Sequence, residues 1–178
     1  INLPDKFDCQ RIGSDQTLSE MLEAGKLDAV VCPPVPSCFQ RGAANVGRLW
    51  PNFREVEQDY FRRSGIFPIM HILGVKKSLA VEYPWLPATL YKAFRHSKDL
   101  AFIDLEAQGA LKVSLPWVTA ELEETRAIMG PDVWSYGVED NLTTIKAIIQ
   151  YSAEQSLTEP GLKPEDLFAE TTLQTARS

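Results

Sequence analysis

Side chains that could bind a carboxylate and move a proton occur close together in the middle of the chain. Arg54, Arg62 and Arg63 lie in the run LWPNFREVEQDYFRRSG. A guanidinium group presents a planar fork of N–H donors that matches the two oxygens of a carboxylate. His71 follows in the apolar run IFPIMHILGV, and imidazole exchanges its proton near neutral pH. These residue types favour an anion-binding site beside a proton donor.

Each of these residues also has a purely structural interpretation. Arg62 and Arg63 stand where a helix is predicted to end, so they alternatively complement the negative end of the helix dipole. His71 is alternatively a core histidine that hydrogen-bonds a backbone carbonyl, because a polar ring in an apolar run must find a partner. His96 lies in a helix with Lys and Arg neighbours and is interpreted as a solvated surface residue.

Three more residues carry candidate roles. Glu57 and Tyr60 share the predicted helix of Arg54, and Glu57 could act as an acid or orient His71. The alternative is that this set forms a solvated charged face. Tyr136, in the run WSYGVEDN, could stack on an aromatic ring or hydrogen-bond to it, or pack as a core aromatic.

The sequence lacks the motifs that are typical of metal-binding and nucleotide-binding sites. Five residues separate Cys32 from Cys38, three of these are proline, and no histidine is near, so a zinc site is not predicted there. The chain has no Gly-rich phosphate loop, no HExxH and no GxSxG motif. No cofactor is assigned, and any metal would depend on carboxylates.

Composition excludes two classes of partner. The 178 residues include 18 Lys and Arg against 24 Asp and Glu, a net charge of -6, which disfavours nucleic acid. No apolar run is long enough for a membrane-spanning helix. An odd number of cysteines favours a reducing compartment, and we expect a cytoplasmic protein. The first methionine is Met21, so we also expect sequence upstream of Ile1.

The apolar pattern predicts two buried strands. A capping box of Thr17 and Glu20 opens a short helix over residues 17–25, and the run LDAVVC at 27–32 then indicates a buried strand. The apolar run at residues 66–75 indicates a second buried strand. Because two strands do not make a sheet, partner strands are expected from elsewhere or from another copy, which makes a homo-oligomer possible. The remaining predicted helices cover 51–65, 84–108, 116–130 and a stretch that includes Leu142, Ile145 and Ile149.

Three stretches of sequence resemble a known family. LSEMLEAGKLDAVV resembles a step of the type II periplasmic-binding-protein folds. RLWPNFREVEQDYFRRSGIFPIMHILGVKK and LPWVTAELEETRAIMGPDVWSYGVEDN resemble the 4,5-dihydroxyphthalate decarboxylases. The resemblance implies an α/β fold of the type II periplasmic-binding-protein kind, in part, with the strands of an N-terminal lobe missing. Residues 1–40 would then form the end of one lobe and a crossover segment, and residues 41–178 the C-terminal part of the other lobe with a helical extension.

The same resemblance implies a function. It is the non-oxidative decarboxylation of an aromatic dicarboxylate such as 4,5-dihydroxyphthalate, without a metal or with the help of one. Arg62 or Arg63 would hold a carboxylate and His71 would donate the proton, with Glu57 as a second catalytic candidate. The remaining substrate-binding candidates are Arg54, Tyr60 and Tyr136. The alternative is a non-enzymatic solute-binding protein for a small anionic aromatic or heterocyclic ligand.

Overall fold

The computed structural model describes residues 4, 6–107, 109 and 111–173, and α-helix is the regular structure of this part of the chain. Within these ranges a short 3-10 turn at Glu170–Thr172 follows eight α-helices. In chain order the helices are α1 Leu18–Glu23, α2 Ser37–Gln40, α3 Phe53–Ser64, α4 Lys77–Glu82, α5 Leu86–Glu106, α6 Val118–Met129, α7 Leu142–Glu154 and α8 Pro164–Leu167.

The predicted α/β fold of the periplasmic-binding-protein type is wrong, because no β-strand occurs among the described residues. Residues 27–32 and 66–75, predicted as buried strands, have no regular secondary structure. Val31 is 102% exposed and Ile72 is 77% exposed. A strand is stabilised by backbone hydrogen bonds to a neighbour, and an apolar run without that neighbour does not become one.

The predicted start and end of α1 are confirmed. The Thr17 hydroxyl accepts a hydrogen bond from the backbone N–H of Glu20 at 3.2 Å and donates one to its carboxylate at 3.0 Å. At the other end Gly25 has φ +67°. The N–H of Lys26 there bonds to the carbonyl of Met21 at 2.8 Å, as in a Schellman motif. A side-chain cap therefore sets the start of this helix, and the backbone of a glycine sets its end.

Glycines end two of the longer helices as predicted. Gly65, with φ +65°, follows α3, and Gly130, with φ +90°, follows α6. A residue with a Cβ is strained at such φ values, so glycine stops the helix there. Helix α5 lies inside the predicted range 84–108, of which Gln108 is outside the described residues. The sequence did not predict α2, α4 and α8.

The chain divides into two compact units, residues 1–57 and 58–178. In the first unit, Ser19 of α1 bonds to α2 twice: its hydroxyl lies 2.9 Å from the Ser37 hydroxyl and accepts the Cys38 N–H at 2.9 Å. Arg41 pairs with Glu23 at 2.6 Å. The Cys38 side chain is fully buried. Polar bonds therefore join α1 to α2 around one small buried residue.

In the second unit, three buried apolar side chains belong to the loop between α6 and α7 and to α7 itself. Val133 and Val138 of the loop and Ile145 of α7 are buried. The Gln58 side chain of α3 donates to the Glu124 carboxylate of α6 at 2.9 Å. No helix in the described ranges has both the length and the apolar composition to cross a membrane.

Candidate functional site

Helix α3 carries most of the residues predicted to bind substrate. Glu55 in its first turn and two arginines in its last turn both suit the helix dipole, which favours this local structure. The side chains of the predicted residues on this helix are all exposed, and they are Arg54, Glu57, Tyr60, Arg62 and Arg63.

Arg63 is held by its own helix. Its Nε donates to the Asp59 carboxylate at 2.8 Å, one turn away, and both side chains are mostly exposed. Such an exposed i,i+4 pair contributes only about 0.3–0.5 kcal/mol. The guanidinium group of Arg63 can therefore exchange Asp59 for a ligand carboxylate at little cost. The position of Arg62 and Arg63 in the last turn equally fits their alternative role at the helix dipole.

His71 lies in the irregular segment 65–76, between α3 and α4. Its side chain is exposed, so the alternative of a buried core histidine is wrong. Among the described residues, no hydrogen bond or ion pair connects His71 with Arg62 or Arg63. The imidazole is accessible to solvent and to a ligand.

Tyr136 belongs to a polar cluster that we call the Lys98 cluster: Lys98, Asp132, Trp134 and Tyr136. The ammonium group of Lys98 lies 2.8 Å from each carboxylate oxygen of Asp132 and 3.2 Å from the backbone carbonyl of Trp134. It also lies 5.3 Å from the centre of the Tyr136 ring. The cluster therefore ties the loop after α6 to helix α5.

Lys98 has no donor left for a substrate. An ammonium group has three N–H donors, and Lys98 directs them to three acceptors on Asp132 and Trp134. Its side chain is only 9% exposed. Tyr136 is half-buried, and its backbone carbonyl accepts the hydroxyl proton of Tyr91 at 3.3 Å. We therefore interpret Lys98 as a residue that positions Tyr136 and the loop.

Asn141 holds the other end of this loop. Its side-chain amide donates to the carbonyls of Ser135 at 3.0 Å and Gly137 at 2.9 Å. Gly137 has φ +104°, which allows the turn between them. The Trp134 ring meets the Phe67 ring edge to face, with 5.4 Å between centres. This contact brings the segment that carries His71 to the loop that carries Tyr136.

Tyr83, between α4 and α5, has a shifted pKa. Its hydrogen bond to the Glu82 carboxylate is the larger cause, and partial desolvation is the smaller one. Both raise the pKa of the phenol above its ordinary value of 10.0. The neutral phenol is favoured because a proton is harder to remove beside a carboxylate. Tyr83 therefore stays protonated across the neutral range.

The structure offers no cluster of three or more His, Cys, Asp or Glu side chains suited to a metal ion among the residues that it describes. Lys98, Asp132 and Asn141 were not among the residues predicted from the sequence. The sequence does display a signal for two of them, because Asn141 is the last residue of the run WSYGVEDN that contains Tyr136, and Asp132 lies two residues before that run. Lys98 carries no such signal, since 34 residues separate it from Asp132.

Together these elements define a helical protein with an exposed, arginine-bearing helix, a solvent-accessible histidine and an aromatic loop fastened by a lysine. No protein-family model matches the sequence. Two curated proteins resemble it. The first is a 4,5-dihydroxyphthalate decarboxylase of Comamonas testosteroni, 36% identical over 174 residues, which are 98% of this chain and 53% of that protein.

The second relative is a 4,5-dihydroxyphthalate decarboxylase of Pseudomonas putida, 36% identical over 62 residues, which cover 35% of this chain and 24% of that protein. The chain spans about half the length of the Comamonas relative. At the level of the family, this chain resembles the 4,5-dihydroxyphthalate decarboxylases, as its sequence motifs had predicted.

Proposed function

We propose that this chain serves the non-oxidative decarboxylation of an aromatic dicarboxylate such as 4,5-dihydroxyphthalate. The observation that carries the proposal is the 36% identity to the Comamonas decarboxylase along 98% of the chain. A similarity of this extent is not confined to one motif, so it includes the segments that carry the candidate site residues.

The reaction sets two chemical requirements. The bond between a ring carbon and a carboxylate carbon breaks, its electron pair stays with the ring carbon, and carbon dioxide leaves. A proton must then reach that ring carbon, which calls for a general acid. The second carboxylate of the substrate remains charged, and cationic donors are needed to orient it.

The chain has side chains for both requirements. In this proposal Arg62 or Arg63 binds the remaining carboxylate with its guanidinium fork, with Arg54 as a further cation on the same helix. His71 donates the proton, and its exposure supports the role because a substrate can reach the ring.

Three further residues complete the proposed site. Glu57 is the second acid. The phenol rings of Tyr60 and Tyr136 offer flat surfaces for an aromatic substrate. The contact between Phe67 and Trp134 supports a shared site for His71 and Tyr136, because it joins the two segments that carry them.

The test is the release of carbon dioxide from 4,5-dihydroxyphthalate labelled in its carboxyl groups. One sample contains this chain alone, and a second contains this chain co-expressed with the part of the Comamonas relative that the match leaves out. That remaining part by itself is the control. Release above the control in either sample is the expected result.

Two outcomes would contradict the proposal. Saturable binding of 4,5-dihydroxyphthalate without release of carbon dioxide in either sample would favour a solute-binding protein. Absence of both binding and release would remove the aromatic dicarboxylate as the ligand. Binding is measured by calorimetry on the same preparations.

A further inference from the structure

One side of helix α5 is exposed to solvent along most of its length. Exposed residues follow one another there at alternating spacings of four and three positions, and they are Thr89, Ala93, His96, Leu100 and Ile103. That spacing places side chains in one row along an α-helix. We call this row the α5 stripe. Leu100 is 50% exposed and Ile103 is 63% exposed, so the row includes apolar surface that water contacts.

The opposite side of α5 faces the rest of the second unit. Arg95, Lys98 and Phe102 line a cavity of about 280 Å³, and Arg126 and Asp132 belong to its other wall. These residues of α5 are spaced by three, four and seven positions, so they lie on one face of the helix. That face is the one turned away from the α5 stripe. The contacts of α5 within the second unit therefore leave the stripe open to another molecule.

Large apolar side chains lie at both ends of the α5 stripe. Leu100 and Ile103 are at the C-terminal end. Trp85, four residues before Thr89 at the N-terminal end, is 60% exposed. Tryptophan is enriched among the residues that contribute most to protein–protein binding. If two such helices pack antiparallel, Trp85 of each copy meets Ile103 of the other, and the small side chain of Ala93 lets the helices approach in the middle.

The charges beside the α5 stripe are complementary to themselves. Lys92 and Asp99 are both exposed and flank the stripe on the same side, about two helical turns apart. Among the described residues, neither of them forms an ion pair. In an antiparallel pair about a two-fold axis, Lys92 of each copy lies beside Asp99 of the other. A parallel pair would instead leave these charges about 10 Å apart along the helix axis.

We propose that the α5 stripe binds the same stripe of a second copy of this chain, with the two helices antiparallel. Leu100 and Ile103 supply apolar contact, and two symmetric ion pairs of Lys92 with Asp99 fix the direction of the helices. An interface of one helix pair is small, so the expected dissociation constant is about 1–100 µM. The inference goes beyond the proposed decarboxylation, and its test measures association without any turnover.

The test is sedimentation of the whole chain over a range of concentrations that spans the expected dissociation constant. We expect monomers at the lowest concentration and dimers at the highest. Leu100→Arg places a charge in the apolar contact and should weaken association by about ten-fold or more. Ile148→Arg changes an equally exposed apolar residue of α7 and should alter it by less than about two-fold. Circular dichroism checks that both variants are folded.

An exchange of charges tests the antiparallel arrangement. Lys92→Asp and Asp99→Lys each turn two attractive pairs into two repulsive ones, and each should weaken association by about three-fold or more. The variant with both changes pairs opposite charges again, so its affinity should return to within about two-fold of the unaltered chain. Lys146→Asp, at an exposed position of α7, changes the net charge as Lys92→Asp does and should have little effect.

Several results would overturn the proposal. One is a chain that stays monomeric at every concentration. Another is equal weakening by Leu100→Arg and Ile148→Arg, and a third is a double charge variant that associates no better than the single variants. A different occupant is tested with the part of the Comamonas relative that the match leaves out. If that polypeptide binds the chain, Leu100→Arg abolishes this binding and the chain alone stays monomeric, the α5 stripe does not serve a second copy.

Discussion

The ammonium group of Lys98 lies 2.8 Å from both carboxylate oxygens of Asp132, although the two residues are 34 positions apart. Lys98 is on α5 and Asp132 follows α6, so this ion pair fastens the loop of residues 131–141 to the long helix. The loop carries Tyr136, and its position therefore depends on a lysine that the sequence motifs did not include.

Replacing Lys98 by Met should destabilise the second unit. The change leaves Asp132 and the Trp134 carbonyl without their donor, and the expected loss is about 1–3 kcal/mol. The half-exposed Asp132 carboxylate can recover water, which keeps the loss toward the lower end. Urea denaturation followed by circular dichroism measures it. Lys92→Met, exposed on the same helix, should stay within about 0.5 kcal/mol, and equal losses would refute the anchoring role.

Asn141 should be needed for its two N–H donors rather than for its shape. Asn141→Ala and Asn141→Asp both remove the donations to the carbonyls of Ser135 and Gly137. We expect each to cost about 1–2 kcal/mol in thermal or urea unfolding, because the carbonyls are partly buried. Thr143→Ala, at an exposed position of α7, is the control. Full stability of Asn141→Asp would show that the donors contribute nothing.

His71→Asn tests the proposed proton donor. Turnover of 4,5-dihydroxyphthalate should fall by about 10²–10⁴-fold, because an amide cannot supply the proton, while binding changes little. Turnover is followed by carbon dioxide release and binding by calorimetry. His96→Asn changes an exposed histidine of α5 and should leave both values as they were. Undiminished turnover in His71→Asn would assign the proton to another group.

A double change of Arg62 and Arg63 to Gln tests the carboxylate clamp. Binding of 4,5-dihydroxyphthalate should weaken by about ten-fold or more, whereas binding of catechol, which has no carboxylate, should hardly change. Calorimetric titrations of both ligands measure the difference. The matched control is Lys76→Gln with Lys77→Gln, which also removes two exposed positive charges. Equal weakening for both ligands would argue against a clamp.

Tyr83 should lose its proton only above the ordinary pKa of 10.0. A group with a raised pKa in the folded chain contributes stability below its ordinary pKa, and this contribution is lost as the pH rises through the raised value. Glu82→Gln removes the carboxylate, so the pKa of Tyr83 should move down. Carbon-13 NMR of labelled tyrosine rings follows the titration, with Glu165→Gln as the control. An unchanged Tyr83 titration in Glu82→Gln would contradict Glu82 as the cause.

Helix ends were predictable because their causes are local. The capping contact of Thr17 with Glu20 spans three residues, and Gly65 and Gly130 stop their helices through their own positive φ values. These signals depend on neighbours a turn away, which the sequence displays directly. The resemblance to the decarboxylases was likewise readable, because it rests on the order and spacing of residues along the chain.

The two apolar runs were misassigned because strand formation is not local. Residues 27–32 and 66–75 have the composition of buried strands, but composition does not supply the neighbouring strand whose backbone hydrogen bonds would stabilise them. In the described structure both runs lack regular structure, and His71 is exposed rather than enclosed by its apolar neighbours. Whether a residue is buried depends on the parts of the protein that pack against it, and a short stretch of sequence does not show which parts those are.

The sequence by itself determined the helix ends that have a local cause, such as Thr17 before α1 and Gly65 and Gly130 after α3 and α6. It also carried the resemblance to the decarboxylases. Tertiary structure alone decided that Lys98 would form an ion pair with Asp132 and that Arg95 and Arg126 would line one cavity. The physical reason is distance along the chain: capping acts within one turn, whereas these groups meet only after α5, α6 and the loop beyond α6 have packed.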